Sequence, residues 1–422
     1  MKKTAKKTKK SQAKTQSNFH LTLTTFVRHT LQDFVVREGM KALSEVLLEE
    51  QEALCGPKHK KPDSKDDAQR WGTAQGRLSF GGQRVLVERP RVRKGGKEIP
   101  LQTWDDFSEE DPLNNRAFEQ MVVGVSTRSF ERTLDDLPEE LGSHGTSKSA
   151  ASRRFSKKTG EQLEAWLSRP LGEFSLIAIM LDGIVVDGQA VLVALGITEE
   201  GEKEPLGLWV GSTENASVVQ SLLNNLVERG LDPMVRRLFV IDGGKALRKA
   251  IRDTFGKRAL IQRCQVHKVR NVLDHLPEKM RPSVAAQMKA AYRSKSKSMA
   301  KKKLLKLKDH LDNNYPDAAA SLREGLDETL SIKDIGLPDA LERTLSTTNM
   351  LENLNGSIRR VTRNVKRWQN GEMIKRWVVA GILEAGARFR RLRGYKGLSK
   401  LSNFLQETAG QNAQLDDGNV AA

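Results

Sequence analysis

Phe174-Ser175-Leu176-Ile177-Ala178-Ile179-Met180-Leu181-Asp182 and Arg237-Leu238-Phe239-Val240-Ile241-Asp242 are apolar runs that each end in an acid. The first run and Ala190–Ile197 are continuous and β-rich, the pattern of strands buried on both faces. Leu206–Val210 can make a third strand, and the polar turn Thr198–Pro205, with Gly201 inside it, supplies a hairpin connection. Three sequential antiparallel strands are therefore predicted between Phe174 and Val210. Ala216–Glu228 follows with Val218, Val219, Leu222, Leu223 and Leu226 at helical intervals, closed by Arg229-Gly230. After the strand ending at Asp242, Gly243-Gly244 turns the chain and Lys245–Phe255 reads as a second helix.

Strand, strand, strand, helix, strand, helix is the order of a ribonuclease-H-like core, an α/β fold. A carboxylate just past a strand end lies at the sheet's edge, where it can face a ligand crevice. Downstream, Ile261-Gln262-Arg263-Cys264-Gln265-Val266-His267 leads into a helix. Its Cys-x-x-His pair invites a zinc reading, but structural zinc takes four ligands and Cys55 is the only other thiol. Packing is expected for Cys264, and a place near the site or in the core for His267. From Leu276 to Leu345 Lys and Ala dominate, helical spacing continues and strand signals vanish, which predicts an all-α insertion with one helix over Met299–Leu311. Its basic run, Arg293–Lys308, is a solvated face or a DNA contact. In Ser346-Thr347-Thr348-Asn349-Met350-Leu351-Glu352-Asn353-Leu354-Asn355, Asn349-x-x-Glu352 has the form of a capping box. Yet Asn355 lies one turn after Glu352 on the same face, and Gly356–Lys400 carries thirteen Lys or Arg against two acids. Trp368 and Trp377 in that stretch suit either nucleic acid or a core.

With 71 Lys and Arg against 53 Asp and Glu in 422 residues, the net charge of +18 makes a polyanion the expected partner. Two cysteines in unrelated settings suit a reducing compartment and exclude a disulfide framework. Met1–Lys14 is lysine-rich, but Phe19–Val36 is broken by charged and polar residues, so neither secretion nor a membrane span is expected. Leu31–Leu54 is helix-like, through Phe34, Met40, Leu43, Val46, Leu47 and Leu54, and Cys55-Gly56-Pro57 stops it. Lys58–Gly76 reads as a linker or exposed loop. Leu78–Val92 predicts a short β-hairpin turning at Gly81-Gly82. Arg89, Arg91 and Arg93 would share one face of its second arm, to hold phosphates or to meet solvent. Asn115–Leu167 has a helix-turn-helix pattern, whose third helix carries Arg153, Arg154, Lys157 and Lys158 near its start. Such basic amphipathic helices also occur in proteins that bind no DNA.

The predicted organisation is a basic disordered tail (1–20), a helical region with a short hairpin (21–95), and a helix-turn-helix-like DNA-binding region (96–170). A ribonuclease-H-like core (171–275 and 346–395) then surrounds the all-helical insertion (276–345), and a tail follows (396–422).

Seven stretches taken in order carry a resemblance. They are Pro90-Arg91-Val92-Arg93, Gly124-Val125-Ser126-Thr127-Arg128, Leu181-Asp182-Gly183, Glu204-Pro205-Leu206-Gly207-Leu208-Trp209, Asp242-Gly243, Gln262-Arg263-Cys264-Gln265-Val266-His267-Lys268 with Arg270-Asn271, and Thr347-Thr348-Asn349 with Glu352. Together they resemble a mutator-type transposase of bacterial insertion sequences, in the D-D-E superfamily of ribonuclease-H-like recombinases. The resemblance covers roughly Val85 to Arg393 and leaves Asp187, close after Asp182, outside it.

The resemblance implies that Asp182, Asp242 and Glu352 are catalytic carboxylates holding two Mg²⁺ ions, with Mn²⁺ able to substitute, and that Cys264 and His267 form a signature beside them. Carboxylates are hard oxygen ligands that suit Mg²⁺. The expected DNA contacts are Arg91, Arg93, Arg128, Arg153, Arg154, Lys268, Arg270, Asn355, Arg359, Arg360 and Arg363. The implied activity is binding of element ends, nicking by hydrolysis and joining of a 3′-hydroxyl to target DNA, by a copy-out, paste-in route. A homodimer or larger assembly on DNA, in the bacterial cytoplasm at the nucleoid, is the expected setting. A catalytically inactive, domesticated transposase acting as a DNA-binding regulator, and a nuclease without joining activity, are the alternatives.

Overall fold

The computed structural model describes residues 34–59, 64, 67–80, 83–109, 122, 148–213, 215–363 and 365–417. The basic tail, the Gly81-Gly82 turn, Arg128 and the first two helices of the helix-turn-helix pattern lie outside the described residues. The chain divides into two compact units, Met1–Phe155 and Ser156–Ala422.

In the first unit, helix α1 (34–55) precedes an antiparallel sheet of β1 (Gln69–Phe80), β2 (Gln83–Lys94) and β3 (Lys97–Ile99), followed by α2 (Gln102–Glu109). The helical period of α1 is as predicted, but its buried face is Val36, Met40, Leu43 and Leu47, while Phe34, Val46 and Leu54 are exposed. Those four pack on Leu78, Val85, Val87, Val92, Leu101 and Trp104. The hairpin is longer than predicted, and the expected linker Lys58–Gly76 gives way to β1 from Gln69. Ten β1 residues pair with β2, so backbone hydrogen bonding stabilises a segment too polar to announce itself as a strand. Gly76 is required there: a Cβ would stand 2.3 Å from the Trp104 ring.

In the second unit, β4 (Leu176–Val186), β5 (Gln189–Thr198) and β6 (Lys203–Gly211) form an antiparallel meander. β7 (Arg237–Ile241) and β8 (Ala259–Arg263) add in parallel on the β4 side, giving the order β6-β5-β4-β7-β8. Asp187 and Gly188 both have positive φ, 50° and 74°, at the two-residue β4–β5 turn, as a tight hairpin with right-handed twist requires.

Helix α3 (Lys148–Ser168) precedes the sheet, α4 (Ala216–Glu228) and α5 (Lys245–Phe255) flank β7, and α6 (Gln265–Asp274) follows β8. Then come α7 (Arg281–Tyr292), α8 (Lys297–Asp312), α9 (Pro316–Arg323), α10 (Asp339–Leu345), α11 (Asn349–Thr362), α12 (Gly371–Gly386) and α13 (Leu398–Asp417). One sheet face packs Ile179, Leu181, Leu192, Phe239 and Ile241 against Val219, Leu222, Leu226, Leu247 and Ile251 of α4 and α5. The other packs Ala178, Met180, Val193 and Val240 against Leu351, Leu354 and Ile358 of α11 and Ile374, Val378 and Ile382 of α12. Helices on both faces of a mixed sheet make this an α/β fold. Helices α6 to α9 share a separate core, with Val272, Met288, Leu304, Leu311 and Leu322 inside it.

The expected C-terminal tail is corrected: α13 occupies it, and Leu398, Leu401 and Leu405, spaced by one helical turn, are buried in the main core. Trp377 is buried on α12, and Trp368 is partly buried against the main core, so both serve the core. Among the described residues no helix is long and apolar enough to cross a membrane.

Candidate active site

Parallel register sets Leu181 opposite Ile241, and Ile241 opposite Arg263. The next residue of each chain segment, Asp182, Asp242 and Cys264, therefore stands at one level across three neighbouring strands, and the Cys264 N–H donates to the Ile241 carbonyl at 2.7 Å. Side chains alternate along a strand. Since Leu181 and Ile241 face α4 and α5, both acids face α11. One expectation needs correction: Asp182 is not at a strand end but inside β4, which continues to Val186 because its antiparallel partner β5 runs on beyond the parallel strands. The sheet edge facing α11 is that of the parallel half.

Asp182 is 8% exposed, and its Oδ2 accepts from Asn355 Nδ2 at 3.0 Å. Burial, then the neighbouring Asp242 carboxylate, and to a smaller extent Glu352, push the Asp182 carboxyl up to about 6, while His267 and the Gly183 N–H pull it down. Asp242 Oδ1 accepts from the Gly244 N–H at 2.7 Å. This turn needs glycine at 243: φ is +107°, and a Cβ would lie 2.4 Å from the Arg263 guanidinium. Arg263 is itself buried, donating to the Gly243 carbonyl at 2.6 Å and the Glu324 carbonyl at 3.2 Å, so it ties the turn after Asp242 to the end of α9.

Glu352 reaches the same place from α11. It makes no capping box, because the cap residue is Thr348, whose own side chain is engaged elsewhere. Glu352 Oε1 is buried without a hydrogen-bond donor, 3.6 Å from His267 Nε2. Asn355 Oδ1 is likewise buried and unpartnered. Such atoms each cost about 1–3 kcal/mol unless something meets them.

Cys264 packs, as expected, and caps α6. Its Sγ accepts from the His267 N–H at 3.5 Å and from the Thr348 N–H and hydroxyl at 3.4 Å each. Burial raises the thiol's pKa, yet these bonds together outweigh it and leave the pKa below its ordinary value. Thr348 Oγ1 also lies 3.3 Å from His267 Nδ1. His267 is more basic than usual, chiefly through Cys264, against the opposing effect of burial, and with further help from Asp182 and Asp242. Thr348 thus fixes the start of the helix that carries Glu352 against the strand that follows Asp242.

Among the described residues no three His, Cys, Asp or Glu side chains are gathered tightly enough to form a ready-made metal cage. The donor chemistry nevertheless fits divalent cations. Asp182 is pushed up by burial and then by Asp242 and, less, Glu352, and oxygens of Glu352 and Asn355 lack donors.

The other predicted contacts divide. Arg359, Arg360 and Arg363 on α11 and its end, and Arg270 on α6, are exposed, as is Arg153 on α3, the helix that also carries Arg154. Two are corrected. Lys268 is buried and donates to the Ser321 and Glu324 carbonyls, and burial, aided by Arg263, lowers its pKa to about 8. Asn355 is 2% exposed and serves Asp182. In the first unit Arg91 forms a forked pair with Glu98, at 3.1 and 2.6 Å, and Arg93 lies over the Trp71 ring at 4.3 Å. Sequence reasoning missed the roles of Arg263 and Thr348; both stand within the matched stretches, but only folding shows what they bind.

A pH effect follows from Asp182. Between about pH 4 and 6 the metal-free folded protein keeps a proton that the unfolded chain has lost, so this group makes stability fall as pH rises through that window. The rise from 3.8 to about 6 corresponds to about 3 kcal/mol. In EDTA, urea unfolding should show Asp182→Asn gaining on the wild type by roughly this amount between pH 4 and 7. A constant difference across that range would contradict the placement of the acid.

Residues 9–391 match the family described as "Transposase, Mutator family". The transposase for insertion sequence element ISRM5 of Rhizobium meliloti is 32% identical over 290 residues, 67% of this chain and 70% of that protein. The transposase for insertion sequence element IS406 of Burkholderia multivorans is 32% identical over 286 residues, 65% and 71% of the two chains. The transposase for insertion sequence element IS256 in transposon Tn4001 of Staphylococcus aureus is 27% identical over 289 residues, 65% and 70% of the two chains. The match spans both units and the stretches that carry Asp182, Asp242, Cys264, His267 and Glu352, and so the chain belongs to the Mutator family of transposases.

Proposed function

We propose that the protein is a DNA transposase that binds the ends of its element, nicks them by metal-assisted hydrolysis and joins a 3′-hydroxyl to target DNA. The observation that carries the chemistry is that buried Asp182 feels both Asp242 and Glu352, which add to burial in raising its pKa, while a Glu352 oxygen lacks a donor. The meander β4–β6 followed by parallel β7 and β8 is read as a ribonuclease-H-like core, with the helices between Asp274 and Asn349 as its insertion. Asp182, Asp242 and Glu352 would hold Mg²⁺ or Mn²⁺. A divalent cation held there would supply Lewis-acid activation of the attacking oxygen and charge stabilisation for the leaving 3′-oxygen.

The chain's own groups prepare this site. Asn355 holds one oxygen of Asp182 and the Gly244 N–H holds one oxygen of Asp242, which orients both carboxylates. Thr348, through Cys264 and His267, sets the position of α11 and hence of Glu352. The exposed Arg359, Arg360 and Arg363 offset phosphate charge and position the strand. Pairing of two element ends calls for a homodimer or larger assembly, and the copy-out, paste-in route completes the proposal.

Incubation of a labelled element end and a target plasmid with the protein and Mg²⁺ should yield joined products. Cleaved ends without any joined product would identify a nuclease instead, and binding without cleavage would identify a regulator.

A further inference from the structure

Helix α10, the start of α11 and the segment after α12 form an open surface cavity of about 250 Å³, lined by Ala340, Arg343, Thr344, Thr347, Asn349 and Arg393. It is smaller than the roughly 300–1,000 Å³ pockets that take drug-sized ligands, and its polar lining contains no acid. Neither guanidinium has a carboxylate partner among the described residues, whereas Arg388 and Arg391, close to Arg393 in sequence, are both paired. Two arginines without carboxylate partners lining one small space offer an anion paired positive charge.

The cavity is held in shape by close packing. Gly394, at φ +82°, and Gly397 press the Arg393 segment onto α10: a Cβ at 397 would meet Pro338 at 2.5 Å, and one at 394 would touch Leu341 at 3.5 Å. Leu392 N–H donates to the Gly201 carbonyl at 2.8 Å and anchors the same segment to the β5–β6 turn. On the other wall, Asn349 opens α11 one turn before Glu352, on the same side of the helix. The Thr348 hydroxyl makes no bond to the first turn of α11, because it serves Cys264 and His267. The start of α11 therefore has no side-chain cap on a wall that already carries an arginine.

We propose that this cavity seats one backbone phosphate of the DNA, gripped between Arg343 and Arg393 with Asn349 as a further donor, about one helical turn from Glu352. Arginine's planar fork suits such a group, since it offers paired donors to phosphate oxygens. The seat would set where along the strand the acids act. This inference rests on the DNA-joining reading of those acids.

A methylphosphonate walk along the element end tests it, neutralising one phosphate at a time, with wild type and the double variant Arg343→Gln/Arg393→Gln. Both arginines are exposed, so the double variant should fold as the wild type does. One position should weaken wild-type binding roughly tenfold and leave the double variant unaffected. The variant's salt slope, log Kd against log[salt], should fall by about 0.9, the contribution of one phosphate. An unchanged slope, or a walk with the same profile in both proteins, overturns the proposal. Stabilisation of the wild type alone by inorganic phosphate at matched ionic strength, with no sensitive position on DNA, would assign the cavity to a free anion and overturn it too. Intact joining with no sensitive position sinks the seat alone; a sensitive position with no joined products sinks the reaction alone.

Discussion

Asp182→Asn is expected to lower strand joining by about a thousandfold or more, roughly 4 kcal/mol of barrier, while DNA affinity stays close to that of the wild type. The substitution keeps shape and the bond from Asn355 within reach, but removes the charge that a divalent cation needs. Binding should persist because the exposed basic side chains proposed to meet DNA, Arg270, Arg359, Arg360 and Arg363, lie elsewhere. The variant should also be more stable than the wild type in EDTA near neutral pH, since a buried acid crowded by Asp242 and Glu352 has been neutralised. Loss of activity with gain of stability is the signature of a group kept for chemistry; loss of both would make Asp182 a structural residue.

Glu352→Gln carries the second large effect, again a loss of joining of about a thousandfold or more. Its informative companion is the stability measurement. A capping-box glutamate contributes on the order of 1 kcal/mol to its helix. Here the cap is Thr348 and Glu352 Oε1 has no hydrogen-bond donor, so unfolding free energy should not fall by the ~1 kcal/mol that loss of a capping box would cost. A variant that loses helix stability and keeps joining would return Glu352 to the capping role that its local sequence allowed.

Why the sheet of the second unit was legible is plain from its composition. Runs such as Ile177–Leu181 and Leu238–Ile241 are buried on both faces, so hydrophobicity alone marks them. β1 was not legible, since a strand with one open face and residues such as Arg70, Thr73 and Gln75 has no such signal without its partner β2. The same limit applied at the site. The acids could be named because the family stretches carry them, and Asn355 could be placed on Glu352's face by helical spacing. That Asn355 and Lys268 turn inward depends on tertiary neighbours, Asp182 for one and the end of α9 for the other. Asp187 shows the converse: an acid five residues from Asp182 proves to be a turn residue, with the positive φ that its Asp-Gly pair favours.

The most direct measurement is strand transfer with labelled element ends, run in Mg²⁺ and in EDTA, with wild type and Glu352→Gln side by side. Joined product from the wild type in Mg²⁺, absent in EDTA and absent from the variant, is the predicted result. Joining that survives in EDTA, or that is undiminished in Glu352→Gln, would contradict the assignment of Asp182, Asp242 and Glu352 as a metal-holding set.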